Sequence, residues 1–350
     1  MRRLLTLVAF LLAVSTATVS CGSSGARGRA ELTFTRFAGQ PESVWVAAAD
    51  GSHAREITAN GRASTLSPDG RWLTFERDET QPGSEFMRLF LVDLTTGRTR
   101  PLGDTSGNER WSPVGERLAV SERHGFFLID AASGNRTRLL RSHVSSFDFT
   151  PDGSSIVLAR SKGSVYLDFE RSDLFLLGLS DHRLKRLTRD GHSSSPLVSR
   201  SGIAYVRFKQ AYDAYEVWLM RRDGSGQRLL ARCCETKWYT THVSIHGFAT
   251  VALSADGKHL LACQPWEGGC YPVAIALPDG RRYAFPETRK LGTPKESASA
   301  VDLTRDGRTA LIVINPWDDE PGPRLLYAVP FTGGKPTLLA RGVADGRWRR

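Results

Sequence analysis

Leu66-Ser67-Pro68-Asp69-Gly70 runs straight into Arg71-Trp72-Leu73-Thr74-Phe75-Glu76-Arg77, and this junction decides the fold. Proline presets φ for the second position of a type I turn. The preceding serine can bond nearby backbone, aspartate tolerates the third position, and glycine accepts the positive φ that follows. The product is a sharp reversal that feeds a strand. The junction returns as FTPDG at 149–153, LSADG at 253–257 and LTRDG at 303–307, with worn copies WSPVG at 111–115 and VSRSG at 198–202. Each copy leads into an apolar run: RLAVSER, SIVLARS, IAYVRF, HLLACQP or TALIVIN. The turn glycines stand 45, 38, 49, 55 and 50 residues apart. A near-even period of this size marks a radial array of small sheets, a β-propeller.

A second series of hairpin signals keeps step with the first: Asp50-Gly51, Thr96-Gly97, Ser133-Gly134, Asp223-Gly224 and Asp279-Gly280 among others. The runs before them are VWVAAA, LFLVDL, FFLIDA, LFLLGL, VWLMRR, VAIAL and LLYAVP, seven in all. They predict an all-β chain of seven four-stranded blades, with six or eight blades the alternatives, and no amphipathic helix. In the second unit the strands read 72–77, 89–94, 99–102 and 109–112, so the apolar run after each turn is expected innermost. On that phase the inward strands are chiefly apolar, with Glu76, Glu122 and Arg160 as exceptions. Residues 343–350 are expected either to form the outermost strand of the last blade or to leave it with three strands. Trp45, Trp72, Trp111 and Trp218 read as inter-blade core, and Asp93, Asp130 and Asp302 as acceptors for turn backbone.

The pattern S-P-D-G-x-x-[I/L]-x-[F/V], then a strand ending in D-x-x-x-G and a short R-x-L-T strand, resembles the WD40-like propeller repeats of the TolB family. LTFERDE…LFLVDLTTGRTRPLG and LFLLGLSDHRLKRLT carry the likeness, which spans about residues 31–340. Prolyl-oligopeptidase relatives build their propellers from the same repeats. The resemblance implies the fold and leaves function open, because one fold hosts many functions. The TolB family adds an N-terminal α/β domain and closes its propeller with six blades; here the count is seven and no room is left for that domain.

The N-terminus reads as a targeting segment. Arg2 and Arg3 precede an apolar stretch at 4–14, and Thr18-Val19-Ser20-Cys21-Gly22 resembles a bacterial lipobox. The expected organisation is a lipoprotein signal peptide at 1–20, a flexible tether at 21–29 and a propeller at 30–350, with Cys21 carrying the lipid. An ordinary secretory signal with a chance cysteine is the alternative. Either way the expected location is extracytoplasmic; with Cys21 lipidated, the membrane is a partner through the lipid. Net charge is +10, from 47 basic and 37 acidic residues, and the charges are spread among turns and strand ends rather than gathered in a basic block. That spread, with export, argues against a nucleic-acid partner. A monomer is expected.

Cys233, Cys234, Cys263 and Cys270 form an even set, which in an exported chain points to disulfides with three possible pairings. Cross-blade bonds, or a 263–270 bond beside a vicinal 233–234 bond, both fit the spacing. No catalytic constellation emerges. Gly191-His192-Ser193-Ser194-Ser195 lacks the closing glycine of a nucleophile elbow, and His242 and His246 fall in a strand-and-loop region. No metal and no cofactor are expected.

What remains is a surface. Long connections at 37–43, 78–87, 162–173, 209–215, 264–269 and 315–324 are expected to open on one end of the disc, around its channel. With the segment near 238 they carry Tyr166, Phe169, Tyr212, Tyr215, Trp238, Tyr239, Trp266 and Trp317, beside Asp318 and Asp319. Aromatic anchors ringed by polar groups suit a binding face. The expectation is a non-catalytic binding module for a protein, a peptide or an envelope glycan. The alternatives are a propeller enzyme, such as a lyase, lactonase or glycan hydrolase, with its site in the channel, and an accessory or sensory subunit of an envelope system.

Overall fold

The structure is a computed structural model that describes residues 30–37, 41–78, 87–105, 107–161, 172–208, 215–232, 249–266, 269–284, 296–316, 324–332 and 334–349. These residues form seven antiparallel sheets of four strands each. Blade 1 holds β1 (Leu32–Arg36), β2 (Ser43–Ala47) and β3 (Arg55–Thr58). Blade 2 holds β4 (Arg62–Leu66), β5 (Trp72–Arg77), β6 (Met87–Asp93) and β7 (Thr99–Thr105). Blade 3 holds β8 (Glu109–Trp111), β9 (Arg117–Glu122), β10 (Gly125–Asp130) and β11 (Arg136–Leu140). Blade 4 is β12 (Ser146–Phe149), β13 (Ser155–Ser161), β14 (Ser172–Gly178) and β15 (Leu184–Arg186). Blade 5 is β16 (Ser193–Val198), β17 (Ile203–Phe208), β18 (Tyr215–Met220) and β19 (Arg228–Arg232). Blade 6 is β20 (Ala249–Leu253), β21 (His259–Trp266), β22 (Gly269–Ala276) and β23 (Arg282–Ala284). Blade 7 is β24 (Glu296–Leu303), β25 (Thr309–Pro316), β26 (Leu325–Pro330) and β27 (Thr337–Arg341), and β28 (Val343–Trp348) completes blade 1.

The repeated turn works by local chemistry. In blade 2 the Gly70 amide donates to the Ser67 carbonyl at 2.8 Å and the Ser67 hydroxyl donates to Asp69 at 2.5 Å. Asp69 accepts the Arg71 amide at 3.1 Å, and Ser67 Oγ accepts the Trp72 amide at 2.9 Å. Thr150–Asp152, Ser254–Asp256 and Thr304–Asp306 repeat the hydroxyl-to-carboxylate bond. The Ser154, Lys258 and Arg308 amides, together with these hydroxyl bonds, hold Asp152, Asp256 and Asp306 below the ordinary carboxylate range. The hydroxyl thus reaches the amide five residues on, and does so again at Thr150, Ser254 and Thr304.

Two expectations need correction. The strand after each turn is the second strand of its blade; the innermost is the short strand before the turn, as in β4 before β5. The ladder reads one strand out of phase because the second strand is flanked on both sides within its sheet and therefore carries the most apolar run. Residues 343–348 form neither an outermost strand nor a gap. β28 pairs with β1, from Leu32↔Trp348 to Arg36↔Val343, and is the innermost strand of blade 1. The ring is closed by its two chain ends.

The core is seven seams, each shared by neighbouring blades. Val44 and Val46 of blade 1 meet Leu66, Leu73 and Phe75 of blade 2, and Leu311, Val313 and Leu326 of blade 7 meet Leu32, Phe34 and Trp348 of blade 1. No blade can cover its own faces, so the wheel folds as one unit. Trp72 is buried in a seam, and Trp45, Trp111 and Trp218 pack against seams.

Candidate functional site

The seven innermost strands converge on the axis. At the end carrying the tight turns they enclose a cavity of about 180 Å³, walled by Leu66, Trp111, Phe149, Leu303 and Trp348 with turn prolines above. Its charged lining is Glu109, Arg110, Asp148, Arg200, Asp302, Arg305 and Arg347, four arginines against three acids.

Two of those acids are structural. Asp148 on β12 accepts the Phe149 amide at 3.0 Å and, across the seam, the Val198 amide of β16 at 2.8 Å. Asp302 on β24 does the same with Leu303 at 2.8 Å and with Trp348 of β28 at 2.8 Å. Asp93 and Asp130 serve turn backbone as expected, through Thr95 and Ser133. Asp302 departs from that reading, because its second partner lies on another blade.

The third acid is different. Glu109 is 4% exposed, and its Oε2 has no hydrogen-bond partner among the described residues. Glu76, 5% exposed with Oε1 likewise orphaned, lies behind it at the blade 2–3 seam. A Cβ placed on Gly107, just before β8, would stand 3.8 Å from Glu76 Oε1. Burial, then repulsion from Glu109, pushes Glu76 up to about 8; Arg62 and Arg347 oppose the shift and Asp345 adds to it. Burial also raises Glu109, against the pull of Arg347 and Arg110. The sequence signal for this pair is positional. Where β5 has Glu76, the same register in the other second strands holds Thr35, Ser121, Ala159, Val206, Cys263 and Val313.

Glu76 therefore sets a pH dependence. The folded state keeps a proton that the unfolded chain releases near 4.5, so the stability it contributes is complete below that pH and is lost as pH rises through about 8. Glu76→Gln removes this slope. The variant is expected to exceed the parent above that upper value by about 2 kcal/mol. Urea titrations on the acid and alkaline sides check this, and equal slopes in the two proteins would refute it.

The sequence-predicted binding face is placed only in part. Tyr166, Phe169, Tyr212, Trp238, Tyr239, Trp317, Asp318 and Asp319 lie outside the described residues, as do Cys21, Cys233 and Cys234. Tyr215, Trp266 and Cys270 are placed as backbone in β18, β21 and β22, with their side chains outside the description. Cys263 is disulfide-bonded. With the corrected phase, the long connections leave the second and third strands, one strand further from the axis than expected, at the end opposite the tight turns. Ser193, within the elbow-like stretch, is fully buried and donates to Asp190 at 2.9 Å, an anchoring contact. Among the described residues no group of three or more His, Cys, Asp or Glu is placed to hold a metal, and no helix is long and apolar enough to cross a membrane.

The sequence matches no protein-family model, and no curated protein is significantly similar to it. Solved structures do share its shape. The β-propeller domain of the Trilobed protease from Pyrococcus furiosus, with an open velcro topology, has a TM-score of 0.59 at 12% identity, covering 89% of this chain and 93% of that one. An oligogalacturonate lyase in complex with manganese has a TM-score of 0.56 at 15% identity, over 89% and 86% of the two chains. TolB from Acinetobacter baumannii has a TM-score of 0.49 at 13% identity over 72% of this chain, which spans 62% of that TolB's length. Likenesses at these identities speak to fold alone. The chain is a seven-bladed, all-β propeller of four-stranded antiparallel sheets.

Proposed function

We propose that this chain is an extracytoplasmic, lipid-anchored binding module, a non-catalytic propeller that holds a protein, peptide or envelope glycan at the ends of its axis. The observation that carries the reading is the axial cavity, to which all seven innermost strands contribute and which no blade builds alone. A rigid ring suits recognition, because a ligand orders little of the protein on binding. Asp148 and Asp302 are committed to backbone amides, which favours a recognition surface over acid–base chemistry. The long-connection end, with Trp266 and Trp317, is the second contact surface in this reading. Export and lipid attachment rest on the segment around Cys21, and an oxidising location agrees with a disulfide at Cys263.

Two measurements test it. Cys21→Ala is expected to move the protein from the membrane fraction to the soluble fraction almost completely, read by fractionation and by labelling with a radioactive fatty acid. Unchanged membrane retention would remove the anchor. Cross-linking of the full chain to its envelope partners should be lost in the Trp266→Ala/Trp317→Ala double variant. Equal recovery by the double variant would reject the long-connection end.

A further inference from the structure

The axial cavity holds an imbalance of hydrogen-bonding groups. Nε of Arg347, Nε1 of Trp111 and Nε1 of Trp348 are buried donors with no partner among the described residues. All three side chains line the cavity, and Trp348 is 8% exposed. Arg347 itself is half-buried, so its guanidinium reaches the open space. It makes no ion pair among the described residues, although it is close enough to Glu109 to oppose that group's shift. Against these donors, the acceptors of Asp148 and Asp302 are engaged with backbone amides. Native interiors leave few buried polar groups unpaired, and such groups at a cavity call for a missing partner.

The charge balance says which partner. Four arginines line the space, and Arg200 and Arg305 stand exposed at its mouth. A cation would meet them all. A tetrahedral dianion would place two charges beside Glu109, Glu76 and Asp345. A carboxylate brings one charge in a planar group that matches one guanidinium through two parallel bonds. The walls formed by Leu66, Phe149 and Leu303 suit an apolar stem, and the space of about 180 Å³ accepts a chain end rather than a larger body.

We propose that the axial cavity is a carboxylate-binding site, in which Arg347 pairs with the carboxylate and Glu109 donates a hydrogen bond to it as a neutral acid. This rests on the binding-module reading and names the ligand group for it. Proton retention by Glu109 is consistent with its burial, and with its being raised by that burial. The groups that bear on the acid pair are Arg62, Arg110 and Arg347 on the innermost strands or their starts, with Asp345 of β28. A peptide C-terminus and a uronic acid carry the same group.

The test is calorimetric titration of the full chain with N-acetyl-leucine, N-acetyl-leucinamide and glucuronate. The acid is expected to bind at least about tenfold more tightly than its amide, the usual margin for a charge-assisted pair. Tighter binding of N-acetyl-leucine than of glucuronate assigns the carboxylate to a peptide end, and the reverse order to a sugar; either supports the site. Arg347→Gln should lose about tenfold in acid affinity, with Arg347→Lys between it and the parent. Binding by the parent should weaken as rising pH takes the proton from Glu109, which burial holds above the ordinary carboxylate range, and Glu109→Gln should flatten that fall while still binding. Equal affinity for acid and amide in the parent overturns the proposal, and needs no variant to fold. Unchanged affinity in a folded Arg347→Gln protein overturns it as well. Failure of the parent chain to cross-link to any envelope partner, with acid binding intact, would defeat the macromolecular reading alone.

Discussion

Deletion of residues 343–350 is expected to abolish the single cooperative thermal transition of the propeller. β28 contributes the innermost ladder of blade 1, five registered pairs with β1. It also contributes Val343, fully buried, and Trp348 to the seam that joins blade 7 to blade 1. Without it, β1 presents an unpaired edge to the axis, and Leu32, Phe34 and Leu326 lose their cover. Truncating a buried tryptophan to alanine alone costs about 3–5 kcal/mol. Losing the ladder adds to that, and a whole domain is stable by only about 5–15 kcal/mol. The deletion should therefore leave little folded protein, while Trp348→Ala should fold with a clearly lowered melting temperature. Circular dichroism during heating reads both. A deleted chain that melts within a few degrees of the parent would show that the ring does not depend on this strand.

The turn was legible because its chemistry is local. A hydroxyl, a carboxylate and a glycine within five residues satisfy one another, as Ser67, Asp69 and Gly70 do, so the pattern survives in the one-dimensional order. Blade number followed from counting such turns. The blade phase was not legible from hydrophobicity, since the innermost strands are short or polar: β8 is three residues, Glu109–Trp111, and β28 carries Asp345 and Gly346. Bordering the channel on one edge, these strands need less apolar surface than the second strands, which neighbours cover on both faces. The partner of β28 lies at the other end of the chain, a distance no periodicity reports. Glu76 was readable as a charge in an apolar run, but its pairing with Glu109 was not, because the two sit on different blades and meet only when the ring assembles. The aromatic connections at the far end were conspicuous in sequence through length and composition, which say where a partner would bind and not how those side chains sit.

Asp302→Ala should cost about 3–5 kcal/mol, much more than a typical substitution of a polar side chain. The carboxylate is 2% exposed and accepts two backbone amides, that of Leu303 beside it and that of Trp348 across the closing seam. A hydrogen bond to a charged group contributes about 1.5–3 kcal/mol, and alanine leaves both amides buried without an acceptor. Asp302→Asn keeps one acceptor oxygen and should recover part of the loss. Asp148 supplies the internal comparison, because it joins β12 to β16 by the same pair of bonds at a seam the chain does not need for closure. Asp148→Ala should lose stability as well, but less, since Asp148 is only half-buried and water can take over part of its role. The difference between the two variants measures what closure itself demands of the carboxylate. Urea unfolding of Asp302→Ala, Asp302→Asn and Asp148→Ala on the full chain gives all three values. A loss at Asp302 no greater than that at Asp148 would mean that the aspartate fastens neighbouring strands in general and has no special part in holding the chain ends together.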